Sequence, residues 1–314
     1  AGGACAAAAA WAPLWPARHA GVAELHLLDV GQGDALALRT PRGRWVLVDA
    51  GRAWRGGDAG ARTVVPWVRR RGGDVALLVL THPHADHVGG AATVLRRLRP
   101  PEVWDAGFVL GSAVYRDVLA GARATHTRWR RVAPGDSLAV DGVVLTALAP
   151  DAAWTDSLDD PNAASVVVSA RFGRVRFLLT GDAEAPEEAW LLARARADPA
   201  VAEALRADVL KVAHHGSATS TTPAFLAAVR PRLALVSVGR DNGYGHPHGT
   251  VVARLRAAGA TVLRTDRLGA VVVRTDGVGI TVDAGGATWQ VRSGERATAG
   301  RRPGGARSPR SSAR

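Results

Sequence analysis

The sequence predicts an α/β protein of four layers, αββα, in which two β-sheets pack face to face and helices cover both outer faces. Two observations lead there. Short apolar strands fall into two groups along the chain, each interleaved with helices placed to cover one face. The chain also has 314 residues of which 47% are hydrophobic, enough for one large core. A single domain of roughly 250–280 residues with tails suits that length.

The elements follow in order. Residues 24–30, 35–39 and 45–49 read as three short strands with tight turns, an antiparallel meander whose last turn is Pro41-Arg-Gly43. Residues 63–71 read as a helix stopped by Gly72-Gly73. Residues 75–80 form a short apolar run suited to a buried strand, and 88–98 have helical spacing. A strand at 102–104, a helix at 112–121 and a strand at 143–148 follow. Residues 164–170 and 174–180 pair across Phe172-Gly173 as a hairpin. Helices at 186–194 and 199–206, a strand at 209–213 and a helix at 223–229 capped by Ser220, Thr221 or Thr222 come next. A strand at 233–238, a helix at 250–258 and strands near 261–264, 270–274 and 279–282 complete the domain, expected to span residues 22–285. No internal repeat is visible.

Composition bounds the partners. Net charge is +12, and Lys211 is the only lysine, so nearly all positive charge is arginine. A basic balance favours an anionic partner such as nucleic acid or a membrane surface. Residues 286–314 carry Arg296, Arg301, Arg302, Arg307, Arg310 and Arg314 among Gly, Ser, Pro and Ala, and read as a basic disordered tail. Cys5 is the lone cysteine, which excludes a disulfide framework and a cysteine-based metal site. Residues 1–21 form an Ala-rich apolar leader with Trp11 and Trp15, shorter than the ~18–20 apolar residues of a full span, and read as the end of a membrane helix, a signal-peptide remnant or a low-complexity leader. With no methionine in the chain, it reads as a piece of a longer product.

The chemistry concentrates at Thr81-His-Pro-His-Ala-Asp-His-Val-Gly-Gly90. His82, His84, Asp86 and His87 sit on a strand-to-helix turn. His82 and His84, alternate residues, can reach one metal, while Asp86 and His87 turn toward a second. Imidazoles with a carboxylate suit Zn²⁺, Mn²⁺ or Fe. Asp182, just past a buried strand, is placed to bridge two ions. Either His214 or His215 should be a ligand. On an extended chain neighbours point opposite ways, so His214 is read as the ligand and His215 as lying behind it or at substrate. His246 and His248 could ligate, bind phosphate or act as general acid.

In order, Asp29-Val-Gly-Gln-Gly-Asp34, Val48-Asp-Ala-Gly51, the H-x-H-x-D-H run, Thr180-Gly-Asp182, Ala207-Asp-Val-Leu-Lys-Val-Ala-His-His-Gly-Ser217 and Tyr244-Gly-His-Pro-His248 resemble the C-terminal metallo-β-lactamase-like domain of the ComEC family of DNA-internalisation competence proteins. The resemblance covers about residues 22–283. It implies a metallo-β-lactamase-like four-layer sandwich with two divalent ions, zinc or manganese. It also implies an extracytoplasmic domain attached to a membrane portion and a nuclease that degrades one DNA strand during uptake. Many superfamily hydrolases carry a further histidine between the first motif and the bridging aspartate. Here only His126 lies in that interval, and the family-like segment is Pro161-Asn-Ala-Ala-Ser165. Asn162 is then a candidate weak ligand or phosphate contact.

The expected mechanism has Asp182 bridging, His82, His84 and His214 completing one metal, and Asp86 and His87 the other, with Asp86 counted among the catalytic groups. Two ions lower the pKa of bound water and neutralise charge at phosphorus. His246 or His248 would protonate the leaving oxygen. Asp34 and Asp49 are expected to orient the motif loop, and Lys211 and Ser217 to lie near substrate or behind the ligands. DNA, single-stranded by preference, is the expected substrate, along a basic path of Arg52, Arg55, Arg128, Arg130, Arg131 and Arg240, with Trp129 interleaved. The alternatives are a hydrolase of a small ester, lactone or phosphodiester with a closed pocket, and a non-catalytic domain docked on a DNA channel with a broken ligand set.

Overall fold

The computed structural model describes residues 20–291. Chain order runs β1 (Ala23–Leu27), β2 (Leu36–Arg39), β3 (Trp45–Val48), a small hairpin of β4 (Ala53–Trp54) and β5 (Gly57–Asp58), α1 (Val65–Arg71), β6 (Val75–Leu80), α2 (Ala85–Val88), α3 (Ala91–Leu98), β7 (Glu102–Asp105), α4 (Ala113–Ala124) and β8 (Arg128–Arg131). It continues through β9 (Ser137–Val140), β10 (Val143–Ala149), α5 (Ala152–Asp156), β11 (Val167–Phe172), β12 (Val175–Leu179), α6 (Ala185–Ala197), α7 (Pro199–Leu205), β13 (Val209–Lys211), α8 (Pro223–Val229), β14 (Leu233–Val236), α9 (Gly249–Ala257), β15 (Thr261–Arg264), α10 (Thr265–Leu268), β16 (Val271–Thr275), β17 (Ile280–Ala284) and β18 (Ala287–Val291).

Two sheets form, of order β18-β17-β16-β1-β2-β3-β6-β7-β8 and β15-β14-β13-β12-β11-β10-β9. Side-chain alternation builds the layers. Along β3, Val46 and Val48 enter the core between the sheets, while Trp45 and Leu47 face the helices outside. Along β12, Val175, Phe177 and Leu179 point inward and Leu178 outward. The first outer layer packs Val65, Val68, Val94, Leu95 and Val118 on one sheet, and the second packs Leu191, Leu205, Phe225, Val251 and Leu255 on the other. The expected αββα sandwich is the observed one.

Each sheet combines antiparallel strands with a parallel run. β3, β6, β7 and β8 are parallel neighbours, as are β12, β13, β14 and β15. Loops at the carboxyl ends of such strands meet at one edge, the usual place for a ligand site in parallel sheets.

Three local differences from the sequence reading stand out. The 88–98 helix is broken, because α2 and α3 are separated at Gly89-Gly90. A Cβ on Gly90 would lie 2.3 Å from Ala50 O, so the backbone there must come close to its neighbour. Residues 128–131, given no element in the sequence reading, form the strand β8. β18 lies beyond the expected boundary at residue 285, because Gly285-Gly286 turn the chain back and Ala287 pairs with Ala284. The remainder of the proposed tail and the apolar leader (1–19 and 292–314) lie outside the described residues. Among the described residues no helix is long and apolar enough to cross a membrane.

At the end of β7, Asp105 is buried, accepting from Gly107 N at 2.7 Å and Tyr115 Oη at 3.3 Å. Burial pushes its carboxyl up to about 6, because water is gone and these few donors do not compensate. A raised folded-state pKa gives stability that is full below the unfolded value near 4 and lost as pH rises through 6. A rise from 3.8 to about 6 corresponds to about 3 kcal/mol. Asp105→Asn is therefore expected to stabilise the protein by up to that amount at pH 7.5 and by little at pH 4. Urea unfolding at both pH values checks it; equal stability of the two proteins at pH 7.5 rules it out.

Candidate metal centre

The centre forms where loops from both sheets meet. The 81–88 turn leaves β6, and Thr180-Gly-Asp182 leaves β12. The turn 213–216 leaves β13, and 237–248 leaves β14. The Asp34 loop between β1 and β2 closes the floor. Gly33 sits at φ 122° with its Cα against Asp86 O, where a Cβ would lie 2.2 Å away. Asp34 N donates to Asp86 O, Ala50 N to His87 O and Gly90 N to Gly51 O, so the two early Asp-Gly segments are knitted to the histidine turn.

Each buried imidazole is held by one nitrogen, leaving the other to face the centre. Asp49 accepts from Thr81 N at 2.8 Å, from Thr81 Oγ1 at 2.7 Å and from His87 Nδ1 at 2.8 Å. Because Thr81 Oγ1 gives its proton to Asp49, it accepts from His82 Nδ1 at 3.1 Å. Ser237 O accepts from His215 Nδ1 at 2.9 Å. These contacts select the tautomers that free the Nε2 atoms of His82, His87 and His215. His82 Nε2 then lies 3.1 Å from His84 Nδ1, a spacing close to that of two imidazoles sharing one ion at ~2.0–2.1 Å each.

Asp182 is the hub. Its Oδ2 is 3.2 Å from His87 Nε2, 3.4 Å from His215 Nε2 and 3.8 Å from His214 Nε2. Ser165 Oγ accepts from its backbone N–H at 3.0 Å. Asp86 Oδ2 is 3.4 Å from His215 Nε2. Four donor groups converge within 4.8 Å: His82, His87 and Asp182; Asp86, His87 and His215; Asp34, Asp182 and His215; and Asp34, Asp49 and His87. Below them Lys211 is buried. Its Nζ donates to Gly181 O at 2.8 Å, pairs with Asp34 and lies 3.5 Å from Asp182 Oδ1.

The residues fit a cation. His87 Nε2, His215 Nε2 and the Asn162 side-chain oxygen are buried without a hydrogen-bond partner. Burial disfavours a charged His87, but Asp182, Asp49 and Asp86 outweigh it and hold its pKa well above the ordinary value. The same contest, against Asp182, Asp34 and Asp86, leaves His215 at about 9. Burial likewise opposes ionisation of Asp182, yet His215, His87 and Lys211 hold its carboxyl well below the ordinary value. The cluster therefore favours positive charge, which protons supply in the metal-free protein and a divalent ion would displace.

The structure brings together His82, His84, Asp86, His87, Asp182, His215, Asp34, Asp49 and Lys211. It sets His214 at the rim, with Nδ1 donating to Glu184 at 2.8 Å, and puts His215 in the donor cluster. The extended chain assumed from sequence is absent here. Residues 213–216 form a tight turn with His214 at φ 46° and His215 at φ 52°, so the alternation rule does not apply. Ser217 Oγ bonds Thr219 Oγ1, which donates to Glu184. Asn162 lies in a short helical turn, Pro161–Ala164, that precedes Ser165. His246 lies beside the cluster, its ring 5.5 Å from that of His214, whereas His248 is exposed with Nδ1 bonded to Thr250. Thr81, Glu184 and Ser237 carry no site signal in the sequence, and Ser165 enters only as the end of the family-like segment. Their residue types are common everywhere, and only the fold brings them here.

The expected basic path divides. Arg52, Arg55 and Arg240 are exposed, and among the described residues no carboxylate pairs with them. Arg128 pairs with Glu102, Arg130 with Glu102 and Asp136, and Arg131 with Asp156. Trp129 packs edge-on against Tyr115, so that strand's aromatic serves the fold rather than a ligand.

The metallo-beta-lactamase superfamily model matches residues 28–240. The chain is 34% identical over 232 residues to Recombination protein 2 of Haemophilus influenzae, covering 74% of this chain and 26% of that protein. It is 32% identical over 258 residues to ComE operon protein 3 of Bacillus subtilis, covering 76% and 31%. It is also 32% identical over 238 residues to Competence protein ComA of Neisseria gonorrhoeae, covering 75% and 30%. The chain thus spans 26% to 31% of the length of these relatives. Among solved structures, the metallo-beta-lactamase fold protein YhfI of Bacillus subtilis superposes with a TM-score of 0.50 at 12% identity, over 81% of this chain and all of that one. CmlA, a diiron beta-hydroxylase from Streptomyces venezuelae, gives 0.51 at 17% identity, over 77% and 52%. These structural likenesses show the fold.

Proposed function

The chain belongs to the metallo-β-lactamase superfamily of hydrolases, and from that premise we propose that it is a two-metal phosphodiesterase that cleaves DNA during uptake. The observation that carries this reading is the position of Asp182, one carboxylate oxygen within 3.2–3.8 Å of three imidazole nitrogens at the meeting edge of both sheets. The names of the relatives, a recombination protein and competence proteins, support DNA as substrate. So do the exposed Arg52 and Arg240, which line a hollow with Gln32 and Tyr244 and which an enclosed small-ester pocket would not need. The same reading places the chain as an extracytoplasmic domain of a membrane-associated protein, as the resemblance implies.

His82, His84 and Asp182 would hold one ion, and Asn162, whose side-chain oxygen is buried without a partner three residues before Ser165, is a candidate further ligand. Asp86, His87, His215 and Asp182 would hold the other. Donors without thiolate suit zinc and manganese alike. When bound, the ions supply activated water at neutral pH and neutralise charge on the phosphoryl oxygens. The protein does the rest. Asp49, Thr81 and Ser237 fix the imidazole orientations, and Ser165 fixes Asp182. Lys211 balances the two buried carboxylates beneath. On the open side, His214, oriented by Glu184, and His246 beside it are placed to hold a proton for the leaving oxygen.

This assignment exchanges the expected roles of the paired histidines. His215→Ala is expected to weaken metal binding by more than the roughly 10–100-fold typical of an outer-layer partner, while His214→Ala keeps the metal and loses rate. Metal content after dialysis, beside turnover, checks it; the reverse pattern would restore His214 as ligand. The reading as a whole is tested with the metal-stripped chain on single-stranded and duplex DNA, with Mn²⁺ or Zn²⁺ restored. Absence of cleavage with both ions sinks it, and small-ester turnover in the same samples would replace it.

A further inference from the structure

We propose that Tyr244 and Trp54 are stacking platforms for the unpaired bases of a single DNA strand, one on each side of the Gly31-Gln32 loop, so that the centre selects one strand over duplex. The inference rests on the DNA-cleaving reading above and adds how the strand is chosen. Among the described residues, Tyr244 at 73% and Trp54 at 36% are the only exposed large aromatic side chains. They border two adjoining hollows, which together make the trough. A hollow of about 460 Å³ is lined by Tyr244 and Arg240, and one of about 290 Å³ by Trp54 and Arg62. The two share Gly31, Gln32 and Arg52 as a common wall.

The trough adjoins the metal ligands. The Tyr244 ring is stacked on His246 at 5.8 Å and 26°, and the His246 ring lies 6.4 Å from that of His215. One face of Tyr244 is thus covered by the site and the ring remains largely in solvent. Its loop is pinned by Asn242, whose Nδ2 donates to Gly239 O and His246 O and whose Oδ1 accepts from Tyr244 N and His246 N. Gln32 Oε1 accepts from Gly239 N and ties that loop to the shared wall. Trp54 stands on the β4–β5 hairpin with the Arg62 guanidinium 5.9 Å from its ring. A large aromatic face held rigid in water costs hydration unless a ligand covers it, and every nucleobase has a face to offer.

Charge alone does not explain the trough. Arg52 and Arg240 are joined there by Asp29, Asp241 and Asp266, the last neutralised by Arg264 at 2.6 Å. Recognition through aromatic faces then predicts a strand bound by its bases, with little preference for sequence. Duplex bases are already stacked on one another and present no face to either ring.

The test is anisotropy binding of the full, metal-free chain to oligothymidylate, to an abasic strand of the same length and to duplex. Oligothymidylate is expected to bind at least about tenfold tighter than the abasic strand. Tyr244→Ala and Trp54→Ala are each expected to lose about tenfold on oligothymidylate and to leave the abasic strand unchanged, with Tyr244→Phe retaining affinity. Equal binding of base-bearing and abasic strands, duplex bound as tightly as single strand, no binding at all, or an unaffected Tyr244→Ala overturns the proposal. Metal-dependent cleavage is read separately on the same proteins. Cleavage without base-dependent binding removes the stacking platforms and leaves the nuclease reading; base-dependent binding without cleavage does the opposite.

Discussion

On the two-metal reading proposed above, Asp182→Ala is expected to abolish metal-dependent cleavage, lowering the rate by roughly a thousandfold or more, because the one carboxylate that would serve both ions is gone. The argument is geometric. Asp182 Oδ2 is the atom that His87, His215 and His214 all approach, and its Oδ1 faces Lys211. No neighbour can substitute, since Asp34 is engaged by Lys211, and Asp49 by Thr81 and His87. The deletion also leaves three buried groups of positive tendency facing one fewer carboxylate, so metal content should fall with rate. Cleavage rate and metal content are measured together on the folded variant. Undiminished cleavage in Asp182→Ala would show that the observed activity arises elsewhere.

The site was legible where residue type and spacing act locally. His82, His84, Asp86 and His87 follow an apolar strand and precede helical residues, and that sequence order alone puts four ligand-type side chains on one turn. Asp182 was legible for the same reason, a carboxylate immediately past a buried strand. The His214–His215 pair was not. Whether neighbours point to opposite faces depends on the backbone being extended, and two consecutive positive φ values have no sequence signal when neither residue is glycine. β8 gives no strand signal in the sequence because Arg128, Arg130 and Arg131 look solvated. They belong to a strand since Glu102, Asp136 and Asp156 meet them and Trp129 finds Tyr115.

Sheet order lies further out of reach of local pattern. β16, β17 and β18 come last in the chain, after the whole second sheet, yet they return to the first sheet by pairing Ala23 with Thr275. Nothing near either residue announces a partner some 250 positions away; the pairing follows from burying Val271 and Val273 in the core between the sheets. The groups that orient the ligands share this difficulty. Thr81, Ser165 and Ser237 become informative only after two sheets have brought their loops together, which is why metal ligands are easier to read than the residues that aim them.

Lys211→Met is expected to destabilise the metal-free protein by about 3–5 kcal/mol at pH 7, the usual cost of leaving a buried charge without its partner. Lys211 is 1% exposed and its ammonium meets Asp34, Asp182 and Gly181 O. Burial works against that charge, but the two carboxylates outweigh it and raise the Lys211 pKa above its ordinary value. A raised folded-state pKa gives stability that is present below the unfolded value near 10.5 and lost only as pH climbs through the folded one, so the contribution is whole at pH 7. Methionine keeps the length of the side chain and removes the charge. Asp34 and Asp182 then face each other's field with burial opposing ionisation, and their pKa values should rise. Protonating them at lower pH relieves the variant more than the parent, so the stability gap is expected to narrow from pH 7 to pH 5. A divalent ion supplies charge to Asp182 from the other side and should narrow it as well. Urea unfolding in chelator at pH 7 and pH 5, and again with Mn²⁺, reads all three effects. A variant as stable as the parent at pH 7 in chelator would mean that Lys211 is not what balances these carboxylates. A gap that ignores both pH and metal would place its cost in packing instead.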